Sequence, residues 1–236
     1  MLDALLEIEN LTEVSAVLLF ASEFATELGA VRQSYHFSPI FDSANSERTA
    51  VVAAGFSEKW MHLYHHQGLR SRDPIPERTM RHGARISWKD AMALEENTAE
   101  HHEYFDAMRE HGLIHGFGLP LFGPGGREAY ASFDFDHPME HLDPAILAKL
   151  SAVAQAAQAR VSQLLNHGRE NPALSDREAE VLRWLARGKS VTEIATILEL
   201  SPETVRTYSK RLHDKLGAHN RVGAIIRALK LNLLRL

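Results

Sequence analysis

"SDREAEVLRWLARGKSVTEIATILELSPETVRTYSKRLHDKL", residues 175 to 216, opens three helices in quick succession. Ser175 to Glu178 reads as a capping box: the serine accepts from the backbone N–H of Glu178, and the glutamate reaches back to the N–H of Ser175. The helix it starts runs through Val181, Leu182 and Leu185 and stops at Gly188. "SVTE", Ser190 to Glu193, starts a second, with Ile194, Ala195 and Leu198 apolar. "SPET", Ser201 to Thr204, starts a third, with Pro202 at the first helical position, where its missing N–H costs nothing. Two short helices joined this tightly make a helix-turn-helix, so this end of the chain is a small all-α domain.

The third helix carries one apolar stripe, Val205, Tyr208, Leu212 and Leu216, at helical spacing. The opposite face shows Arg206, Thr207, Lys210, Arg211 and Asp214. A helix held by its stripe and presenting cations outward suits the major groove of DNA, where arginine and lysine meet phosphates or guanine edges. The assigned DNA-facing residues are Thr204, Arg206, Thr207, Lys210 and Arg211. A solvated basic face is the bland alternative; the two capped helices in front favour DNA. Charge is divided accordingly. Residues 175–236 hold 12 Lys+Arg against 7 Asp+Glu, and residues 1–174 hold 14 against 24. A basic module attached to an acidic one is a nucleic-acid signature that the net charge of −5 conceals.

The 236 residues allow one large domain or two modest ones, and 44% apolar residues suffice for a core. The absence of cysteine removes disulfides, thiol nucleophiles and cysteine-ligated metal sites. The N-terminus "MLDALLEIENLTEVSAVLLF" lacks the basic start of a secretory signal, and no run of about 18 apolar residues exists. The expected location is the cytoplasm, with no membrane partner.

In front of the helix-turn-helix, "RTAVVAAG", "ARISW", "FGLPLF" and "YASFDFD" read as strands between helical stretches near 10–29, 57–67, 100–111 and 144–165. Strands framed by helices predict an α/β layered domain on one antiparallel sheet. "FGPGG", Phe122 to Gly126, reads as a hairpin turn, because no Gly-Lys-Ser/Thr and helix follow. Leu147, Leu150, Ala154, Ala157, Val161 and Leu164 form a short heptad seam that fits either packing within the domain or a dimer helix. "NHGRENPA", residues 166–173, reads as an interdomain linker. The histidines of "HLYHH" and His101-His102 lack the further ligands of a closed metal site, so no metal is expected.

"FSEKWMHLYHHQGLRSRDPI", residues 56 to 75, poses the functional question. Ser57 caps a short helix, Gly68 ends it, and Phe56 can staple against Met61. Trp60 and Tyr64, four apart, share one face, and Asp73-Pro74 follows. A packed core wants the aromatic rings but not the aspartate. Taken singly, the aromatics suit a core and Asp73 suits a turn; their joint spacing points to a binding site.

The 175–216 stretch extended to "LGAHNRVGAIIRA" resembles the DNA-binding domain of LuxR-type transcription regulators, with Glu178, Leu182 and Gly188 at signature positions. Tyr208 and Arg211 depart from that family's usual histidine and asparagine. Trp60, Tyr64, Asp73-Pro74, Trp88 and Gly116, with "YFDAMREHGLIHGFGLPL", resemble the signal-binding domain of acyl-homoserine-lactone receptors. The resemblance implies an N-terminal α/β/α sandwich with a central antiparallel sheet (residues 1–165), a linker (166–174) and the helix-turn-helix domain (175–236). It implies a cavity for a small-molecule autoinducer. An enzyme acting on a small molecule is the remaining alternative for residues 1–174. The chain lacks a Gly-x-Ser-x-Gly elbow, a cysteine and a convincing carboxylate pair, so neither catalysis nor a cofactor is expected.

On that resemblance the indole of Trp60, which can only donate, suits the ring carbonyl of a lactone, and the carboxylate of Asp73 suits the amide N–H. Tyr64 and Trp88 wall the head group, and Ser132 donates to the amide carbonyl. The expected partners are double-stranded promoter DNA, a second copy of the chain and RNA polymerase. Phe56 stands where such receptors often have tyrosine, which leaves as alternative an orphan regulator that senses a non-lactone molecule.

Overall fold

The computed structural model describes residues 1–39, 42–123, 127–166, 172–231 and 233–234. The chain divides into two compact units, one taking in the described residues up to Asn166 and the other those from Pro172 onward.

The first unit is built on a five-stranded sheet: β1 Arg32–Phe37, β2 Ala50–Ala54, β3 Ile86–Ser87, β4 His115–Gly123 and β5 Arg127–Phe135. The order is β2-β1-β5-β4-β3, and each pair described is antiparallel. Helices cover both faces. Against one lie α1 (Leu2–Asn10), α2 (Val14–Glu27) and α7 (Pro144–Asn166), whose Ile8, Val17, Ala21, Leu150, Ala154 and Ala157 pack on Tyr35, Phe117, Leu121, Ala131 and Phe133. Against the other lie α3 (Glu58–His66), α4 (Ile75–His82), α5 (Trp88–Ala93) and α6 (Ala99–Glu110), which bury Trp60, Tyr64, Ile75, Trp88, Tyr104 and Met108 with Tyr130 of the sheet. This is the layered domain on one antiparallel sheet that the strands framed by helices predicted, and the α/β/α sandwich that the resemblance implied.

Several details differ from expectation. The strand read in "ARISW" is only two residues long, because Ser87 turns the chain into α5 by accepting from the N–H of Asp90 at 3.0 Å. β1, α1, α4 and α5 were not anticipated. The seam on α7 is spent inside the domain: Leu150, Ala154, Ala157 and Val161 are all buried against the sheet and its neighbouring helices. Leu147 and Leu164, the remaining residues of the seam, pack against the same core and are partly buried. Residues 124–126 of the predicted hairpin turn and 167–171 of the predicted linker lie outside the described residues.

The second unit is all helical: α8 Asp176–Ala186, α9 Val191–Leu198, α10 Pro202–Leu216 and α11 Arg221–Lys230. The predicted capping box of Ser175 with Glu178 is formed in both directions, and the predicted helix start at Ser190 proves to be a second such box with Glu193. Ser201 caps α10 by accepting from Thr204 N–H at 3.0 Å. Val205, Leu212 and Leu216 are buried, and Tyr208 is half-buried, so the stripe on α10 faces inward. Glu178, 3% exposed, also takes the Lys215 ammonium at 2.6 Å, which fastens α8 to the last turn of α10. Among the described residues no helix is long and apolar enough to cross a membrane.

Candidate functional site

The helical layer of α3 to α6 does not close fully on the sheet. Between them lies a cavity of about 450 Å³ of empty space, its open mouth included. Its walls include Trp60, Tyr64, Trp88, Tyr104, Tyr130 and Met108, and Ser34, His36 and Ser132 form its floor on the sheet.

Backbone choices make this room. Gly116 of β4 lies under the indole of Trp88, and a Cβ there would sit 2.5 Å from the ring. A Cβ on Gly118 would sit 2.5 Å from Thr79 Oγ1 of α4 and 2.7 Å from the Tyr130 ring. The two glycines thus let the helical layer and two aromatic rings settle directly on the sheet. On α3, the spacing of four brings Trp60 and Tyr64 into a stacked pair with ring centres 6.0 Å apart. Tyr104 of α6 approaches Trp60 at 6.1 Å.

Of the predicted ligand residues, Trp60, Tyr64, Trp88 and Ser132 all line the cavity. Asp73 stands one layer behind, buried at 5% exposure. Its Oδ2 accepts from the Tyr64 hydroxyl at 3.0 Å, its Oδ1 accepts from Ile75 N–H at 2.9 Å, and the Tyr104 hydroxyl is directed at the same carboxyl group. The turn role and the polar role of Asp73 therefore coexist: it starts α4 and anchors two cavity tyrosines. Burial pushes its pKa up to about 6; these three hydrogen bonds and the Arg70 guanidinium oppose that rise without cancelling it. Arg70 is itself fixed, donating to the carbonyls of Ser46 at 2.7 Å and Thr49 at 2.6 Å. Asn45 of the same segment donates to the Asp73 carbonyl, and Ala44 is buried with the cavity aromatics.

Sequence reasoning missed Ser34, His36, Tyr104 and Tyr130. Ser34 and His36 lie on the unpredicted β1, whose register sets Ser34 beside Ser132 and His36 beside Tyr130. Ser132 Oγ is 2.8 Å from Ser34 Oγ, and either hydroxyl can donate in that bond, so the Ser132 proton is free when Ser34 is the donor. The indole Nε1 of Trp88 is buried without a hydrogen bond; it faces the Tyr130 hydroxyl without the alignment of a formed one. Phe56 and Met61 both line the cavity, where Phe56 supplies no hydroxyl. Among the described residues no group of three or more His, Asp or Glu side chains is arranged to hold a metal ion.

On α10 the predicted DNA-facing residues share the outer face. Arg206, Thr207, Lys210 and Arg211 are exposed, and Thr204 is half-buried. Arg206 pairs with Glu203 at 2.9 Å, both largely in solvent, an interaction too weak to hold the guanidinium against a phosphate. Thr204 Oγ1 lies 2.8 Å from Ser201 Oγ, and Thr207 Oγ1 donates to the Glu203 carbonyl at 3.0 Å. The threonine hydroxyls thus serve the helix, and the cations remain at its surface.

Comparison with known proteins gives two family matches: residues 14–161 match the autoinducer binding domain, and residues 172–228 match the bacterial regulatory proteins of the luxR family. The chain is 32% identical to the quorum sensing-dependent transcriptional regulator RpaR of Rhodopseudomonas palustris, over 79% of this chain and 76% of that one. It is 27% identical to the transcriptional activator LuxR of Aliivibrio fischeri, over 83% of this chain and 79% of that one. The crystal structure of Escherichia coli SdiA shares the fold with a TM-score of 0.71, covering 97% of this chain and 95% of that one at 24% identity.

Proposed function

The chain belongs to the LuxR family of bacterial regulatory proteins, a ligand-responsive, DNA-binding regulator of quorum sensing, and we propose that its signal is an N-acyl-homoserine lactone. The observation that carries the proposal is the buried carboxylate behind the aromatic wall. An ionised carboxylate offers about four acceptor positions. Tyr64, Tyr104 and Ile75 account for three at Asp73, which leaves one for an amide N–H. The indole of Trp60 serves the lactone carbonyl, Tyr64 and Trp88 wall the ring, and Ser132 meets the amide carbonyl. The chemistry asked of the protein is recognition alone, so it acts as a regulator and not an enzyme.

We assign residues 1–165 to the sensor, 166–174 to the linker and 175–236 to the DNA-binding domain. Ligand fills and orders the cavity, which favours a homodimer that sets two copies of α10 on one palindromic promoter site in the cytoplasm, where RNA polymerase is the further partner. Phe56 favours a second reading, an orphan sensor of a non-lactone molecule, since the cavity lacks a hydroxyl at that position. Selection from a random DNA library, with and without lactone, tests the first reading. Ligand-dependent enrichment of a two-fold symmetric sequence is expected; an asymmetric sequence, or one indifferent to every lactone tried, contradicts it.

A further inference from the structure

The floor of the cavity is polar where an alkyl chain would be better served by apolar side chains. On β1 and β5 the covered face carries Tyr35, Ala131 and Phe133, while the cavity face carries Ser34, His36 and Ser132, all buried. These three form a chain of hydrogen bonds, 2.8 Å from Ser132 Oγ to Ser34 Oγ and 3.1 Å from Ser34 Oγ to His36 Nε2. Burial, aided by the charges of Arg70 and His65, pushes the His36 pKa down to about 3, so the imidazole is neutral and carries one proton. Two hydroxyls and one N–H supply three protons, and the two internal bonds use two. His36 Nδ1 is also buried without a hydrogen bond, facing the Ala44 backbone without the alignment of a formed one. The row is therefore not self-contained.

Its place in the sheet gives it a function. From β4 outward the cavity meets Trp88 resting on Gly116, then Ser132 on β5, then Ser34 and His36 on β1, then Val51 and Ala53 on β2. Ser34 and His36 thus lie one strand, about 4.8 Å, beyond the serine assigned to the amide carbonyl. A saturated acyl chain crossing them would cover polar atoms without bonding them, which a buried site penalises.

Resting on the lactone reading above, we propose that Ser34 and His36 select an acyl group that carries its own oxygen, a hydroxyl or an oxo group, near the amide. With Ser132 donating to the amide carbonyl, the internal bonds use the other two protons. An oxygenated acyl group therefore exchanges a bond with the row: a hydroxyl donates to Ser34 Oγ, and an oxo group accepts the proton that Ser34 or His36 otherwise gives within the row. Val51 and Ala53 then receive the apolar remainder of the chain.

Calorimetric titration of the full chain with hexanoyl-, 3-oxohexanoyl- and 3-hydroxyhexanoyl-homoserine lactone decides it, because the three probes share one chain length. At least one oxygenated probe should bind about tenfold or more tightly than the hexanoyl probe, the discrimination expected for one hydrogen bond in a buried site. Ser34→Ala should erase that preference by weakening the oxygenated probe alone, and His36→Leu should do the same. Equal binding of all three probes by the native chain overturns the selectivity and leaves the lactone reading intact. A preference that survives in folded Ser34→Ala overturns the assignment to this row, whether or not His36→Leu folds. Binding of no lactone removes the underlying reading, and the inference with it.

Discussion

Asp73→Ala is expected to abolish the response to ligand and to lower the melting temperature of the sensor at the same time. The substitution takes the partner from two buried hydroxyls, those of Tyr64 and Tyr104, and from Ile75 N–H at the start of α4. Each orphaned buried group costs about 1–3 kcal/mol, so a total near 3–5 kcal/mol is expected. At roughly 2–4 °C per kcal/mol for a unit of this size, the melting point falls by about 6–20 °C. Asp73→Asn separates the two effects. It keeps the volume and one acceptor oxygen, so most of the stability should remain while the charge that strengthens the ligand bond is gone. A folded Asp73→Asn protein with undiminished ligand affinity would contradict the role given to the carboxylate.

The same residue predicts a pH dependence. Its folded pKa, about 6, lies above the ordinary 3.8, so the native state holds a proton that the unfolded chain releases earlier. Stability from this group is therefore complete below about pH 4 and is lost as pH rises through about 6, a change on the order of 3 kcal/mol. Ligand runs the other way. An amide N–H needs the ionised carboxylate, so affinity should climb between pH 5 and about 7 and then level off. In Asp73→Asn both trends flatten. A ligand affinity that falls from pH 5 to 7 in the native protein would exclude Asp73 as its acceptor.

The second large effect is expected on α10. Arg206→Ala with Lys210→Ala removes two exposed cations from each chain and no buried contact, so the melting point should hardly move. DNA affinity should fall about 100-fold or more at physiological salt, and the slope of log affinity against log salt should drop by about two per chain. Titrating a fluorescent operator at several salt concentrations measures both. An unchanged slope would remove α10 from the phosphate backbone.

What was legible in the sequence follows from where each signal resides. The second unit was read through its caps, because Ser175, Ser190 and Ser201 bond backbone groups within three residues of themselves. Trp60 and Tyr64 were found because one helical turn joins them. β1 was missed for a physical reason: "RQSYHF" is covered on both faces, yet one of those faces serves the cavity with Ser34 and His36. That polarity breaks the apolar run expected of a covered strand. α4 was hidden by Pro74 and Pro76, which read as breakers but here sit at its start, and by Arg78, which is buried and bonded to the carbonyls of Ala91 and Met92. Tyr104 and Tyr130 carry no local mark at all; only the fold brings them to Asp73. The seam on α7 was legible as a pattern, but its partner, the sheet, was not.

The central claim is that the sensor cavity takes an acyl-homoserine lactone, and thermal melting tests it most directly. Protein made in a host that produces no such signal would be melted against lactones of varied acyl group. A ligand at about 100 times its dissociation constant adds roughly 2.7 kcal/mol to the folded state. That corresponds to a rise of about 5–10 °C for the sensor transition, and its size should depend on the acyl group. Such a rise for at least one lactone is the predicted result; a folded protein whose melting point none of them moves would contradict the claim and leave the DNA-binding unit attached to a sensor of another molecule.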